Sequence, residues 1–145
     1  MELNNFGSIL SFAAELEAGD GAFYQSVSQN PSCQSYKDLF EGLYKEHKQN
    51  EQKILRVRRE NVTEMILESI KDFTRIPFVL ECVGVERMDL KEVLEMARKL
   101  ETRSEHFYRE AAEKLKALPE VTAELKRIGK KHAVHGEKVR NLSKK

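Results

Sequence analysis

A short pattern of residues occurs twice in the chain, and it limits the fold more than any other feature of the sequence. Leu16-Glu17 is followed six residues later by Phe23-Tyr24, and Leu100-Glu101 is followed at the same interval by Phe107-Tyr108. Around each copy, apolar residues recur at spacings of three and four, which indicates an amphipathic helix. The repeat therefore predicts two similar helices, 84 residues apart, each with a glutamate in its apolar face.

The first half of the chain predicts a helix pair. Helix 1 is expected from Phe6 to about Ser28, because Pro31 pushes the residue before it out of the helical region. Helix 2 is expected from about Gln34 to Glu60. Apolar residues follow one face of each helix, so the two can pack against each other.

Helix 1 contains an unusual Gly19-Asp20-Gly21 segment. A glycine inside a helix costs about 1 kcal/mol relative to alanine, so either a close helix approach or an irregular turn is expected here. We interpret Asp20 as a solvated or turn-capping residue.

The second half predicts another pair. Helix 3 is expected to begin at Met88-Asp89, with Asp89 and Glu92 forming a capping box, and to end near Ala117. Pro119 suits the first turn of helix 4. The connection between the pairs, Asn61–Met88, is long. It is expected to hold a short helix at 62–73 and an extended apolar strap at 76–80.

Two short-linked helix pairs joined by a long connection predict an all-α fold, a ferritin-like four-helix bundle with a long crossover between helices 2 and 3. At 145 residues, the chain is expected to form a single helical domain over 1–145.

Two alignments of helix 2 with helix 4 leave the polar positions open. An offset of 85 residues pairs His47 with His132 and Asn50 with His135, whereas an offset of 84 pairs Glu51 with His135. Positions three and four apart share a helix face, so both Asn50 and Glu51 can lie near the bundle axis.

The sequence of helix 3, VLEMARKLETRSEHFYREAAEKL, and its weaker counterpart in helix 1 resemble the rubrerythrin-like branch of the ferritin-like superfamily. Such proteins hold a di-iron centre with a Glu from each of helices 1 and 3 and a Glu-x-x-His motif from each of helices 2 and 4. The resemblance implies Glu17 and Glu101 as ligands. Helix 4 departs from the pattern with His132-x-x-His135, and helix 2 lacks an intact motif.

The expected metal ligands are six side chains: Glu17, Glu51, Glu101, His132, His135 and His47. The ion is expected to be iron, as a di-iron pair, or another divalent metal such as zinc, which a site with fewer carboxylates and more imidazoles can prefer. With two irons, the resemblance implies oxidation of Fe(II) by peroxide or oxygen, a peroxidase or ferroxidase type of activity. Cys33 and Cys82 cannot build a cysteine iron site, so an external electron donor is implied.

The sequence leaves two other interpretations of the function open. The chain can be a degenerate ferritin-like bundle that has lost the metal centre and serves as a structural or partner-binding module. In a third interpretation, His47 and His132 are axial ligands of a haem between the helices.

Composition and charge limit the classes of partner that the sequence predicts. The formal net charge of +1 gives no reason to expect nucleic acid. No apolar run approaches the roughly 18 residues of a membrane span, and MELNNFG has no basic region leading into a signal-like core. The sequence therefore predicts a cytoplasmic protein without nucleic acid or membrane partners. A homodimer is expected as a separate prediction.

Overall fold

Four long helices form most of the part of the chain that the structure describes. In this computed structural model, described over residues 2–61 and 70–143, they are α1 (Phe6–Ser28), α2 (Lys37–Glu60), α3 (Leu90–Lys114) and α4 (Pro119–Ser143). Within those ranges no β-strand occurs, and Glu2 and Thr74 form an isolated bridge. The all-α prediction is confirmed.

Polar side chains fix the start of three of the helical segments. Asn5 forms a capping box with Ser8 at the start of α1, and Asp89 forms the expected box with Glu92 at the start of α3. Asn30 accepts a hydrogen bond from the Ser32 backbone at 2.8 Å. This bond starts a 3-10 turn over Pro31–Tyr36, so α2 begins three residues later than the Gln34 expected from sequence.

The turn between α3 and α4 explains why α3 ends at Lys114 and not near Ala117. The Thr122 hydroxyl donates to the carbonyl of Leu115 at 2.8 Å, which satisfies one of the carbonyls that a helix end leaves free. The chain then turns into α4, which begins at Pro119 as expected.

The crossover differs from its sequence prediction. Most of the short helix expected at 62–73 lies outside the described residues, and residues 70–73 are not helical. They run beside the N-terminus instead, where Leu3 donates to the Phe73 carbonyl at 2.8 Å. The extended apolar strap at 76–80 is also wrong: Ile76–Phe78 form a 3-10 turn. Phe78 is buried there, while Ile76 is 76% exposed.

The helices pack as two hairpins, α1 against α2 and α3 against α4. Along every helix, apolar side chains at both ends flank buried polar ones near the middle. The buried polar residues form a layer between two apolar clusters, one around Phe12 and Phe107 and the other around Phe40 and Leu100. In the described part of the chain, none of the helices combines the length and apolar composition of a membrane span.

Glycine substitutions give a test of this backbone. Gly19 is helical and exposed, and a Cβ there would meet no atom within 4 Å. We expect Gly19→Ala to stabilise the fold by about 1 kcal/mol, measured by urea unfolding. Gly84 has φ of +72°, so Gly84→Ala should destabilise it because a Cβ is strained in this conformation. Equal signs for the two variants would contradict the described backbone.

Candidate metal centre

All four helices contribute to the buried polar layer. The residues lie near the middle of each helix, and each is at most 3% exposed: Glu17, Asp20, His47, Asn50, Glu101, Ser104, His132 and His135. Isolated polar groups are costly to bury. The hydrogen bonds between the helices therefore determine how much the burial of these polar groups costs in stability.

The two copies of the repeat bind each other crosswise. Tyr108 of α3 donates to Oε2 of Glu17 in α1 at 2.6 Å, and Tyr24 of α1 donates to Oε1 of Glu101 in α3 at 2.9 Å. Burial, together with the nearby carboxylate, raises the pKa of each tyrosine well above its usual value, so both phenols stay protonated donors. Each glutamate is thus held by the tyrosine of the other copy.

His132 joins the two glutamates. Its Nε2 lies 2.6 Å from Oε2 of Glu17, and its Nδ1 lies 2.6 Å from Oε2 of Glu101. Burial alone would lower the pKa of His132, but the two carboxylates raise it well above the usual value. Burial alone would raise the pKa of Glu101, but the charge and hydrogen bond of His132 and the contacts of the other histidines hold it well below its usual range. An imidazolium between two carboxylates results.

His47 faces Glu101 from α2. Its Nδ1 donates to the Leu43 carbonyl at 2.7 Å, and its Nε2 lies 3.1 Å from Oε1 of Glu101. Burial alone would lower the pKa of His47, but its contact with Glu101 and the charges of Glu101 and Glu17 raise it to about 9. With both His47 and His132 protonated, two positive charges balance the two glutamates.

His135 and Asn50 occupy corresponding positions on α4 and α2. His135 Nε2 donates to Oε2 of Glu46 at 2.7 Å, while its Nδ1 faces Oε2 of Glu101 at 3.5 Å. Asn50 donates to Oε1 of Glu17 at 3.2 Å. This arrangement selects the offset of 85 residues between α2 and α4.

These contacts fit a metal ion. The group His47, Glu101, His132 and His135 has one ligand atom from each residue within 4.8 Å of the others, and it could hold a metal ion. Within the described ranges, His47 Nε2 and His135 Nδ1 are buried and have no hydrogen-bond partner. His47 Nε2 lies 3.1 Å from Oε1 of Glu101 and His135 Nδ1 lies 3.5 Å from its Oε2, so each nitrogen faces a different oxygen of the carboxylate.

Asp20 corrects the sequence interpretation of a solvated residue. It is 3% exposed and sits in a continuous helix. Arg103 donates to its Oδ1 at 2.5 Å and Ser104 to its Oδ2 at 3.1 Å. Burial raises the pKa of Asp20 to about 6 even beside the Arg103 guanidinium. Asp20 belongs to the core because α3 supplies both of its partners.

The structure brings together five of the six predicted ligands and leaves one outside. Glu17, Glu101, His47, His132 and His135 lie in the polar layer. Glu51 is partly exposed, with its carboxylate 4.0 Å from Lys48.

Sequence reasoning missed Glu46 and Arg103. Each lies three residues after a core leucine, Leu43 or Leu100, so the periodicity places it at the edge of its apolar stripe, but charged side chains at such positions mostly reach solvent. Asn50 had been left open against Glu51.

The protonated histidines predict how stability depends on pH without metal. A pKa displaced from 6.5 to about 9 means that the folded state binds the His47 proton more tightly than the unfolded state. Its stabilisation is full below pH 6.5 and is lost as pH rises through about 9, on the order of 3 kcal/mol. Urea unfolding of metal-free protein across this range should show the decline.

A matched pair of variants checks the assignment. His47→Gln should reduce the slope of stability against pH. His106→Gln should not, because His106 is exposed on α3 and pairs with Glu110. An unchanged slope in His47→Gln would contradict the raised pKa.

The buried Asp20–Arg103 pair gives a second stability test. Arg103→Met leaves a buried carboxylate without its cation, so we expect a loss of about 3–5 kcal/mol, measured by urea unfolding. Adding Asp20→Asn to this variant should recover part of the loss. As a control, Arg109→Met removes an exposed α3 ion pair with Glu105 and should change stability little. Similar effects of Arg103→Met and Arg109→Met would contradict the buried pair.

Comparison with protein-family models, with curated proteins and with solved structures gives no significant match for this chain.

Proposed function

We propose that the chain is a metal-binding protein that holds a divalent ion among His47, Glu101, His132 and His135. The observation that carries the proposal is the pair of buried nitrogens, His47 Nε2 and His135 Nδ1. Both face the Glu101 carboxylate and have no hydrogen-bond partner in the described part of the chain. In a metal-bound protein His47 Nε2 and His135 Nδ1 would hold the ion beside the Glu101 carboxylate.

Charge favours one ion per chain. When both histidines lose their protons to make room for a metal, Glu17 and Glu101 carry two negative charges, which one divalent ion balances. A second ion would leave two uncompensated positive charges in a buried layer, and uncompensated charges are costly there. Imidazole donors suit zinc, iron, copper and nickel.

Iron extends the proposal to redox chemistry. The resemblance to the rubrerythrin-like branch supports iron as the bound metal and oxidation by peroxide or oxygen as the activity. Bound iron would supply the electron transfer. The chain's own residues do the rest: Tyr24 and Tyr108 orient the carboxylates through hydrogen bonds, and the apolar clusters exclude water. Cys33 and Cys82 are separate free thiols, so a redox role would need an external electron donor.

One observation favours the alternative function, a packed module without a metal. His132 already satisfies both glutamates with two 2.6 Å hydrogen bonds. The polar layer is therefore charge-balanced and largely bonded without an ion. A protein with this network can serve as a structural or partner-binding unit.

The metal content of the protein distinguishes metal binding from a packed module without a metal. Protein produced in medium with iron and zinc should contain about one ion per chain by elemental analysis. A chelator should lower its melting temperature, because an ion at 1,000 times its Kd stabilises the fold by about 4 kcal/mol. His47→Gln/His135→Gln should lose the ion, and His106→Gln should keep it.

Substoichiometric metal in the wild type, with a melting temperature that chelator does not change, would contradict metal binding and support the packed module. Two ions per chain would contradict the charge argument for a single ion.

Metal affinity should also depend on pH. Binding must displace the protons of His47 and His132, whose pKa values are raised. The association constant for Zn²⁺ should therefore rise by up to about a hundredfold per pH unit below pH 9, one decade for each displaced proton. Competition titrations with a chromophoric chelator at several pH values measure this slope. A slope of zero would place the ion elsewhere.

A further inference from the structure

Glu46 of α2 connects the buried cluster to the protein surface. The four residues of the candidate centre are at most 1% exposed, whereas the Glu46 side chain is 42% exposed and touches His135 from outside. Its Oε2 accepts the His135 Nε2 hydrogen at 2.7 Å. This bond crosses between α2 and α4.

The bond decides which nitrogen of His135 faces the cluster with a lone pair. A neutral imidazole carries one N–H, and the hydrogen bond made by one nitrogen sets the tautomer of the other. With Nε2 donating to Glu46, Nδ1 is the nitrogen that carries the lone pair in the neutral ring. Nδ1 lies 3.5 Å from Oε2 of Glu101 and has no hydrogen-bond partner within the described ranges.

A hydrogen bond orients the His47 ring in the same way, with Nδ1 in place of Nε2 as the donor. Its Nδ1 donates to the Leu43 carbonyl at 2.7 Å, which leaves Nε2 facing Oε1 of Glu101 at 3.1 Å. For His47 the holding group is backbone of its own helix. For His135 the holding group is a side chain from another helix, so a substitution can remove it.

We propose that Glu46 is a positioning residue that holds His135 in the Nε2–H tautomer, with Nδ1 directed to a metal ion between His135 and Glu101. Such outer hydrogen bonds orient metal-ligating histidines and typically contribute 10- to 100-fold to affinity. The consequence for affinity rests on the proposed metal site. The tautomer of His135 does not, because the hydrogen bond exists without an ion.

Two substitutions separate the hydrogen bond from the charge. Glu46→Leu removes both, while Glu46→Gln removes the charge but keeps an oxygen that accepts from Nε2–H. Glu41→Leu is the control, since Glu41 is an exposed α2 carboxylate paired with Lys37. The tautomer is read from nitrogen-15 shifts and ring couplings of His135 in metal-free protein, and Co²⁺ affinity is read from visible absorption.

In the wild type, Glu46→Gln and Glu41→Leu, we expect the Nε2–H tautomer and Co²⁺ affinities within a few-fold of each other. In Glu46→Leu we expect a mixed or inverted tautomer and an affinity about 10- to 100-fold lower. If Glu46→Leu is poorly folded by its amide spectrum, Glu46→Ala replaces it.

An unchanged tautomer in Glu46→Leu overturns the positioning role, and so does an equal loss of affinity in Glu46→Gln and Glu46→Leu, which would show an effect of charge alone. Failure of the wild type to bind Co²⁺ would instead overturn the proposed metal site. The tautomer measurement would still test Glu46 in that case, so the two failures are distinguishable.

Discussion

Two buried glutamates, Glu17 and Glu101, constrain how the rest of the chain can fold. An ionised carboxylate in a protein interior is tolerated only when it is paired and hydrogen-bonded, and both carboxylates are fully or almost fully buried. Their partners come from other helices: tyrosines from the opposite copy of the repeat, His132 from α4 and His47 from α2. Helix packing and charge compensation are therefore linked, because the two hairpins must pack in the register that brings these groups into contact.

The cross-binding of the repeat gives this docking its geometry. Glu and Tyr lie seven residues apart in each copy, about two helical turns, so both point to the same neighbour. Asp20 and Ser104 hold equivalent positions in the two copies and bond directly to each other at 3.1 Å. Equivalent residues that touch lie at the local two-fold axis between α1 and α3. The repeat in the sequence thus corresponds to an approximate symmetry in space, and the polar layer lies around its axis.

Most of the fold could be predicted from the sequence because apolar periodicity, Asp89 capping and Pro119 act locally. The site could be predicted in part, since Glu17, Glu101 and His132 lie on apolar stripes. The choice between Asn50 and Glu51 needed the rotation of α2, which depends on packing. Glu46 and Arg103 were missed because each is a charged residue at the edge of its stripe, and the partner that holds it there comes from a distant segment. The crossover was predicted least well because Phe78 alone of its turn is buried, a result of tertiary contact with Phe107.

The approximate symmetry of the helices does not extend to the side chains that could bind a metal. This difference determines where in the polar layer an ion could be held. At equivalent positions the α1/α2 half has Asn50 and the α3/α4 half has His135, so imidazole density is higher around Glu101 than around Glu17. Glu17 keeps its hydrogen bonds to Tyr108 and Asn50, whereas Glu101 faces two nitrogens that lack hydrogen bonds in the described structure. The proposed ion would therefore be held next to Glu101, where it would replace protons that two carboxylates otherwise hold on His47 and His132. In the proposed metal-bound form, metal and protons would compete for one charge-balanced site, so the network that stabilises the fold without an ion is also the place where an ion could be held.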